Sequence, residues 1–263
     1  MNNGPSRESR RRYIALSIFS PAIILAVWIG VTAYGTAPAI ILPSPSTVVS
    51  SFADMFLRGY SGVSIGTHIA SSLWRVATAF VIGAAAGITI GLIRGRVASV
   101  DALFVVPSEI VRPIPPLGLI PLFILWFGIG ELSKILLILL AVFLIMMVNA
   151  QAGAGASGVD QLRAAQSMGS NRWQTFVYVV LPSALPQIMT GLRVAMGTAL
   201  SILVAAELLG GDRGLGFVVL DASSFFRTPY VVAGIIIIGL IGLISDRGIA
   251  LLSRRIVHWE GKR

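Results

Sequence analysis

The chain has 263 residues, 56% of them hydrophobic and only 12% charged, with a formal net charge of +9 and a mean hydropathy of +0.87. A soluble domain averages about a quarter charged residues, so this composition calls for a bilayer as solvent and for a single membrane domain. Cysteine is absent, which excludes disulfides, thiolate metal sites and cysteine nucleophiles. The two distant histidines, His68 and His258, offer no metal-ligand cluster. The basic residues flank apolar segments without stacking aromatics, which fits lipid headgroups better than nucleic acid.

The opening stretch 1–13 is a basic tail. Its Ser9-Arg10-Arg11-Arg12-Tyr13-Ile14 superficially resembles a twin-arginine export signal. The apolar run that follows continues to about Tyr34, longer than a cleaved signal core, so 14–35 is expected to be an uncleaved first span. A spanning helix needs about 20 apolar residues, and the candidates are 14–34, 73–93, 102–127, 134–153, 183–209 and 230–252. The expected fold is therefore all-α, with about six transmembrane helices.

Between the first two spans, 36–72 is a surface segment in which Ser46 is expected to cap a short helix over 47–58. The core, 73–252, opens with Gly83, Gly87, Gly91 and Gly95 at four-residue spacing, a close-packing face. That face serves either an internal helix contact or the seam between two subunits. The third span carries Pro107, Pro113, Pro115, Pro116 and Pro121 and cannot be one straight helix. Broken helices survive in a bilayer only where protein or a water-lined cavity shelters the freed carbonyls. Two loops interrupt the core further on. The glycine-rich 210–229 has an apolar centre at 215–220 that either dips toward a pore mouth or fills space, and 154–182 is the longest inner segment. The stretch 253–263 is a second basic tail.

Six spans put both termini on one side. Arg7, Arg10, Arg11, Arg12, Arg94, Arg96, Arg163, Arg172, Arg254, Arg255, Lys262 and Arg263 fall on that side, against Arg58, Lys134, Arg213 and Arg227 on the other. The positive-inside rule then places both termini in the cytoplasm. Trp28, Tyr34, Trp74, Trp126, Phe127, Tyr230 and Trp259 lie near span ends, as an interfacial belt requires.

In the inner loop Asp160 can cap a helix over 161–168, and Gly169 can end it in a left-handed conformation. Ser170 or Asn171 can start a second helix, which Pro182 is expected to interrupt at the membrane surface. The product is a helix–turn–helix elbow with a small-residue ridge at Ala164 and Ala165. Its residues alone leave open whether it docks a partner or is a solvated loop.

The spacing of Ala164-Ala165, Gly169 and the closing Leu181-Pro182 resembles the coupling-loop signature of ABC importer permeases, with Arg163 standing where that signature has Glu. Arg112-Pro113-Ile114-Pro115-Pro116, Trp126-Phe127-Gly128-Ile129-Gly130-Glu131, Thr190-Gly191-Leu192-Arg193, Ala205-Ala206-Glu207 and Arg213-Gly214-Leu215-Gly216-Phe217 are similar to the taurine and alkanesulfonate branch. The resemblance covers roughly 40–255 and implies a type I importer permease fold in the bacterial inner membrane. It implies a homodimer, two cytoplasmic ATPase subunits that bind ATP and Mg, and a periplasmic solute-binding protein. It makes Arg163, Ala164, Ala165, Gly169 and Arg172 the ATPase-coupling residues. The implied solute is taurine or an alkanesulfonate, with nitrate, bicarbonate or a vitamin precursor as the alternative.

The chain itself has no Gly-x-x-x-x-Gly-Lys-Ser/Thr phosphate loop and no nucleophile–base constellation. It is therefore expected to be a non-catalytic subunit without a cofactor of its own. Charges in hydrocarbon are expensive and mark function or pairing. Glu109 and Arg112, three residues apart, are expected to pair or to line the translocation pathway. Glu207 either braces the 213–217 loop or lines that pathway. Arg193, like Arg75, is expected at headgroups or between helices, and Asp246 is expected to pair with Arg247. An ion-gradient-driven secondary transporter is the competing class, in which such charges relay ions. A non-transporting membrane scaffold is a third reading.

Overall fold

The computed structural model describes the backbone of residues 7–208 and 211–259, with side chains from Leu16 onward except Ile18. In chain order the helices are α1 (Arg7–Ala33), α2 (Pro45–Arg58), α3 (Ile65–Arg94), α4 (Ala98–Val111) and α5 (Ile120–Phe127). They continue with α6 (Glu131–Gly155), α7 (Val159–Ser167), α8 (Arg172–Thr175), α9 (Leu181–Leu208), α10 (Leu215–Ser224) and α11 (Thr228–Ile256). Among the described residues there is no β-strand. The chain forms two compact units, Met1–Ile65 with Val219–Ile235, and Gly66–Val218 with Ile236–Arg263.

In the first unit, α2 starts two residues earlier than its sequence suggests. Ser44, in extended backbone, caps it by accepting from the Thr47 amide at 3.3 Å, and Pro45 supplies a pre-set φ at the first helical position. Ser46 therefore lies inside the helix. Gly59, at φ +78°, ends it. Val48, Ser51 and Met55 form its buried face, while Val49, Phe56 and Leu57 are exposed. Tyr60 donates to Asp221 at 2.8 Å, and Tyr230 donates to Asp54 at 2.6 Å. The two tyrosine rings are 5.8 Å apart. Trp28 Nε1 holds the Pro43 carbonyl at 3.0 Å.

The second unit is built on the glycine repeat. A Cβ placed on Gly83 would stand 2.8 Å from the Leu139 carbonyl oxygen, and one on Gly87 would stand 2.6 Å from that of Phe143. Gly91 faces Met147 and Gly95 faces Gln151 and Ala154 in the same way. The paired positions rise together, so α3 and α6 run parallel, backbone against backbone. The repeat is an internal helix contact. In a bilayer, where lipid is as apolar as leucine, such close approach is a main source of helix association.

Two parallel helices need one crossing between them. That crossing is the bent pair of α4 with Pro116–Phe127, turned by 85° at the proline cluster. The third span is thus two short helices joined by a 3₁₀ turn over Pro116–Leu119. Pro121 sits in the first turn of α5, where its missing N–H costs nothing.

The start of α9 also departs from expectation. Pro182 does not interrupt the chain. Pro182 lacks an N–H and would crowd the carbonyl four residues back. A π turn over Phe176–Val180, closed by the Leu181 amide on Phe176 O, widens the helix just ahead of it. The result is one apolar helical stretch from Arg172 to Leu208.

α9 packs antiparallel on α6, with Gly191 against Asn149 and Gly153 against Ala184. Arg193 meets Asp246 and Leu200 meets Gly242, so α11 is antiparallel to α9. Among the described residues, four helices are long and apolar enough to cross a membrane, or five with the bent pair; Phe19–Ala33 and Leu215–Ser224 are shorter apolar helices. The alternation places Arg94, Gly155, Leu181 and Ile256 at one end of this bundle. Glu131 and Leu208 lie at the other. The core between them is Leu137, Ile138, Val142, Met146, Ala150, Ala184, Ile188, Ala195 and Ala199.

Candidate functional site

The segment after α6 folds as an elbow at the end of the bundle that holds Arg94 and Ile256. α7 begins after Gly158, one position before Asp160, with no side-chain cap. It closes through three backbone bonds: Met168 N to Ala164 O, Gly169 N to Gln166 O and Ser170 N to Ala165 O, at 3.1, 2.9 and 3.1 Å. Gly169 has φ +80°, the left-handed closing conformation that glycine adopts without a Cβ penalty.

Asn171, not Ser170, starts the second arm. Its side chain accepts from the Gln174 amide at 2.8 Å, and Gln174 Oε1 accepts from the Asn171 amide at 2.9 Å. This reciprocal capping box runs through the π turn directly into α9. Of the coupling candidates, Ala165 is buried and Arg163, Ala164, Gly169 and Arg172 are exposed. Met168 and Trp173 flank the turn at 79% and 71% exposure. Large apolar side chains held outward on a well-capped turn suit docking into a partner's groove.

A buried polar cluster ties the bundle together at the same end. Arg94 Nε donates to Asp101 at 3.0 Å, and Gln151 Nε2 donates to the same oxygen at 2.7 Å. Arg94 Nη1 reaches Ser108 at 3.3 Å. This joins α3, α4 and α6 beneath the elbow.

A second cluster closes the opposite end. Arg75 Nη1 donates to Glu207 Oε1 at 2.6 Å, and its Nη2 donates to Glu131 Oε1 at 2.7 Å. Ser72 donates to Glu207 at 2.8 Å, and Glu207 Oε2 accepts from the Gly216 amide at 2.8 Å. The Leu215 amide donates to Ser72, the Gly214 amide to His68 Nδ1, and the Arg213 carbonyl accepts from Arg75. Glu207 is 1% exposed and Arg75 3%. Glu207 therefore sits under the 213–217 loop and braces it, away from any open surface. Gly214, at φ +126°, lies against its carboxylate, and a Cβ there would meet Oε1 at 2.5 Å. Buried Lys134 lies 3.9 Å from Glu131.

The sequence offered Arg75 and Arg193 as headgroup or inter-helix contacts and Glu207 as a brace of the 213–217 loop; what it did not give is the pairing of Arg75 with Glu207 and Glu131. The available signal was four opposite charges near the ends of apolar helices, which a bilayer does not leave single. Arg193 in fact grips Asp246 with two bonds, Nε to Oδ1 at 2.8 Å and Nη2 to Oδ2 at 3.0 Å, so Asp246 pairs with Arg193 and not with its neighbour Arg247. Glu109 and Arg112 are both exposed at the bend, and neither has an ion-pair partner among the described residues. The backbone stays helical through Arg112, whose amide bonds Ser108 O at 2.9 Å, so the two share one turn ahead of the bend, and the pair does not form. No group of three metal-ligating side chains occurs among the described residues.

Comparison with known proteins agrees with this architecture. Residues 79–258 match the model of the binding-protein-dependent transport system inner membrane component. The taurine transport system permease protein of Escherichia coli is 39% identical over 252 residues, covering 95% of this chain and 92% of that protein. A putative aliphatic sulfonates transport permease protein of Bacillus subtilis is 36% identical, covering 97% and 91%. The nitrate import permease protein of Synechocystis sp. is 31% identical, covering 97% of both chains. A chain from the crystal structure of an amino acid ABC transporter with histidines shares the fold at a TM-score of 0.57 and 18% identity, covering 79% of this chain and 96% of its own. A matched region that takes in the glycine repeat, the elbow, the Arg94 cluster and Glu131 and Glu207 of the second makes this chain a member of the binding-protein-dependent transport inner-membrane component family, the permease subunits of ABC importers.

Proposed function

We propose that this chain forms the translocation pathway of an ABC importer for a small sulfonate such as taurine. It works as a pair of copies with two separate ATPase subunits and a periplasmic solute-binding protein. The observation that carries the reading is the elbow: a rigid turn with Met168 and Trp173 held outward, joined without a break to a core helix. Arg163, Ala164, Ala165, Gly169 and Arg172 make up its docking surface, with Arg163 on the exposed side where the family signature carries an acid. ATP and Mg bind the partner, since this chain has no phosphate loop.

Closure of the two ATPases on ATP would push both elbows. The push passes through the π turn into α9 and, by its tight packing at Gly153 and Gly191, into α6. Alternating access follows if the ATP-bound partner favours one of two bundle arrangements. Both termini in the cytoplasm is the orientation that the clustering of Arg94, Arg96, Arg163, Arg172, Arg254 and Arg255 supports.

The test is gentle solubilisation followed by co-purification. A separate ATPase chain is expected with the permease, and Gly169→Val should loosen it. A sample that transports with no ATPase present overturns the reading and favours a gradient-driven carrier. Nitrate is the second solute class, favoured by the nitrate import relative. Uptake of taurine against nitrate by the reconstituted assembly separates the two.

A further inference from the structure

We infer that Arg193 and Asp246 form a charged station on a water-lined strip of α9, and that the passing solute binds there. The sulfonate is held by Arg193 and, in a zwitterion, the ammonium by Asp246. This rests on the importer reading above.

The strip is legible on the helix. The exposed residues of α9 between Pro186 and Ile202 are Gln187, Thr190, Arg193, Val194, Gly197 and Ser201. At about 100° per residue they fall within one face about 120° wide. The opposite face, with Ile188, Gly191, Ala195, Ala199 and Leu203, is buried. An apolar helix that turns its small and polar residues outward contradicts what lipid selects, which is leucine, isoleucine and phenylalanine. α11 behaves in the ordinary way for lipid, exposing Ile235, Leu240, Leu243 and Ile244.

The charges sharpen the argument. Arg193 lies about 18 Å along α9 from Leu181, and Asp246 about 15 Å before Ile256, counted at the helical rise. Both are therefore near the middle of their helices. Their side chains are 49% and 39% exposed. Charges at mid-depth face a protein interior or water, not lipid. Arg193 uses Nε and Nη2 on Asp246, and the remaining edge of the fork points to no partner among the described residues. A guanidinium with free donors beside a carboxylate offers an oxyanion a donor edge and an ammonium an acceptor, the two charges of a zwitterionic sulfonate. Arg112, about 21 Å from the start of α4 by the same count, is exposed at a similar depth.

The absence of cysteine from the natural chain makes the test direct. Single substitutions Gln187→Cys, Thr190→Cys and Ser201→Cys are placed in the full permease, in membranes with its ATPase, and treated with an anionic methanethiosulfonate. Labelling should be at least about tenfold faster than at Ile244→Cys, and taurine should slow it, since thiolate reaction needs water. Labelling no faster than at Ile244→Cys overturns the strip.

In proteoliposomes carrying the permease, ATPase and binding protein, Arg193→Gln should lower uptake of taurine and ethanesulfonate alike, by about tenfold or more, the low end for a lost hydrogen bond to a charged group. Asp246→Asn should lower taurine uptake by a similar factor and leave ethanesulfonate nearly unchanged. Equal losses of taurine and ethanesulfonate uptake in Asp246→Asn, or normal transport by the swapped pair Arg193→Asp with Asp246→Arg, would make the pair a structural bridge and overturn the station. Labelling reports on the strip even if no ATPase co-purifies, so failure of the importer reading is distinguishable from failure of this one.

Discussion

The Arg75 guanidinium lies 2.6 Å from the Glu207 carboxylate, and both side chains are almost fully shut off from solvent. Each is the other's charge compensation, and the 213–217 loop hangs on the result. Removing Arg75 leaves Glu207 buried without a countercharge, whereas removing Glu207 leaves Arg75 its second partner, Glu131. Arg75→Ala should cost about 3–5 kcal/mol and Glu207→Ala less, since Glu131 remains beside Arg75, both read as thermal unfolding of the purified protein in detergent. The double variant should cost clearly less than the sum. Strict additivity would show that the two side chains do not depend on each other.

The glycine contact between α3 and α6 leaves no room for a methyl group. Gly87→Ala puts a Cβ 2.6 Å from a backbone oxygen, which cannot swing aside as a side-chain end can. The expected loss is about 1–3 kcal/mol. Gly239→Ala, where nothing lies within 4 Å, should be neutral or gain up to about 1 kcal/mol in helix preference. Melting temperatures of the two variants, side by side, check the contrast.

The elbow can be loosened without touching the core. Asn171→Ala removes the capping box and should cost about 1 kcal/mol locally, seen as roughly fivefold faster amide exchange at Gln174 and Thr175. Gly169→Val forces a β-branched residue to φ +80°, a strain of about 1–2 kcal/mol. If the ATPase docks on this turn, its affinity should fall by about tenfold with overall stability unchanged. Unchanged affinity would move the docking site elsewhere.

Tyr60 carries a pH signature. Burial, followed by its hydrogen bond to Asp221 and the charge of that carboxylate, pushes the phenol well above its ordinary value. A group whose folded pKa is raised stabilises the fold below its unfolded pKa, about 10 for tyrosine. That contribution is lost as pH rises further. Stability should be flat in this term at neutral pH and decline above about pH 10. Tyr60→Phe should cost about 1.5–3 kcal/mol at neutral pH, the range for a hydrogen bond to a charged group, and should flatten the alkaline decline. An identical alkaline decline in the variant would rule out Tyr60 as its source.

The apolar composition, the six apolar runs, the proline break, the glycine repeat and the left-handed turn at Gly169 were all legible in the amino-acid sequence. Each is a local matter of hydrophobicity or backbone freedom. Placement of Ser44 in place of Ser46, and passage of the helix past Pro182, turned on single hydrogen bonds that neighbouring residues compete to make. Only the tertiary structure decided the charges. Arg75 chose Glu207 and Glu131, Arg193 chose Asp246, and Glu109 and Arg112 were left apart. Pairing across helices depends on rotation and depth, which periodicity leaves free and which close packing at Gly83, Gly87 and Gly91 sets.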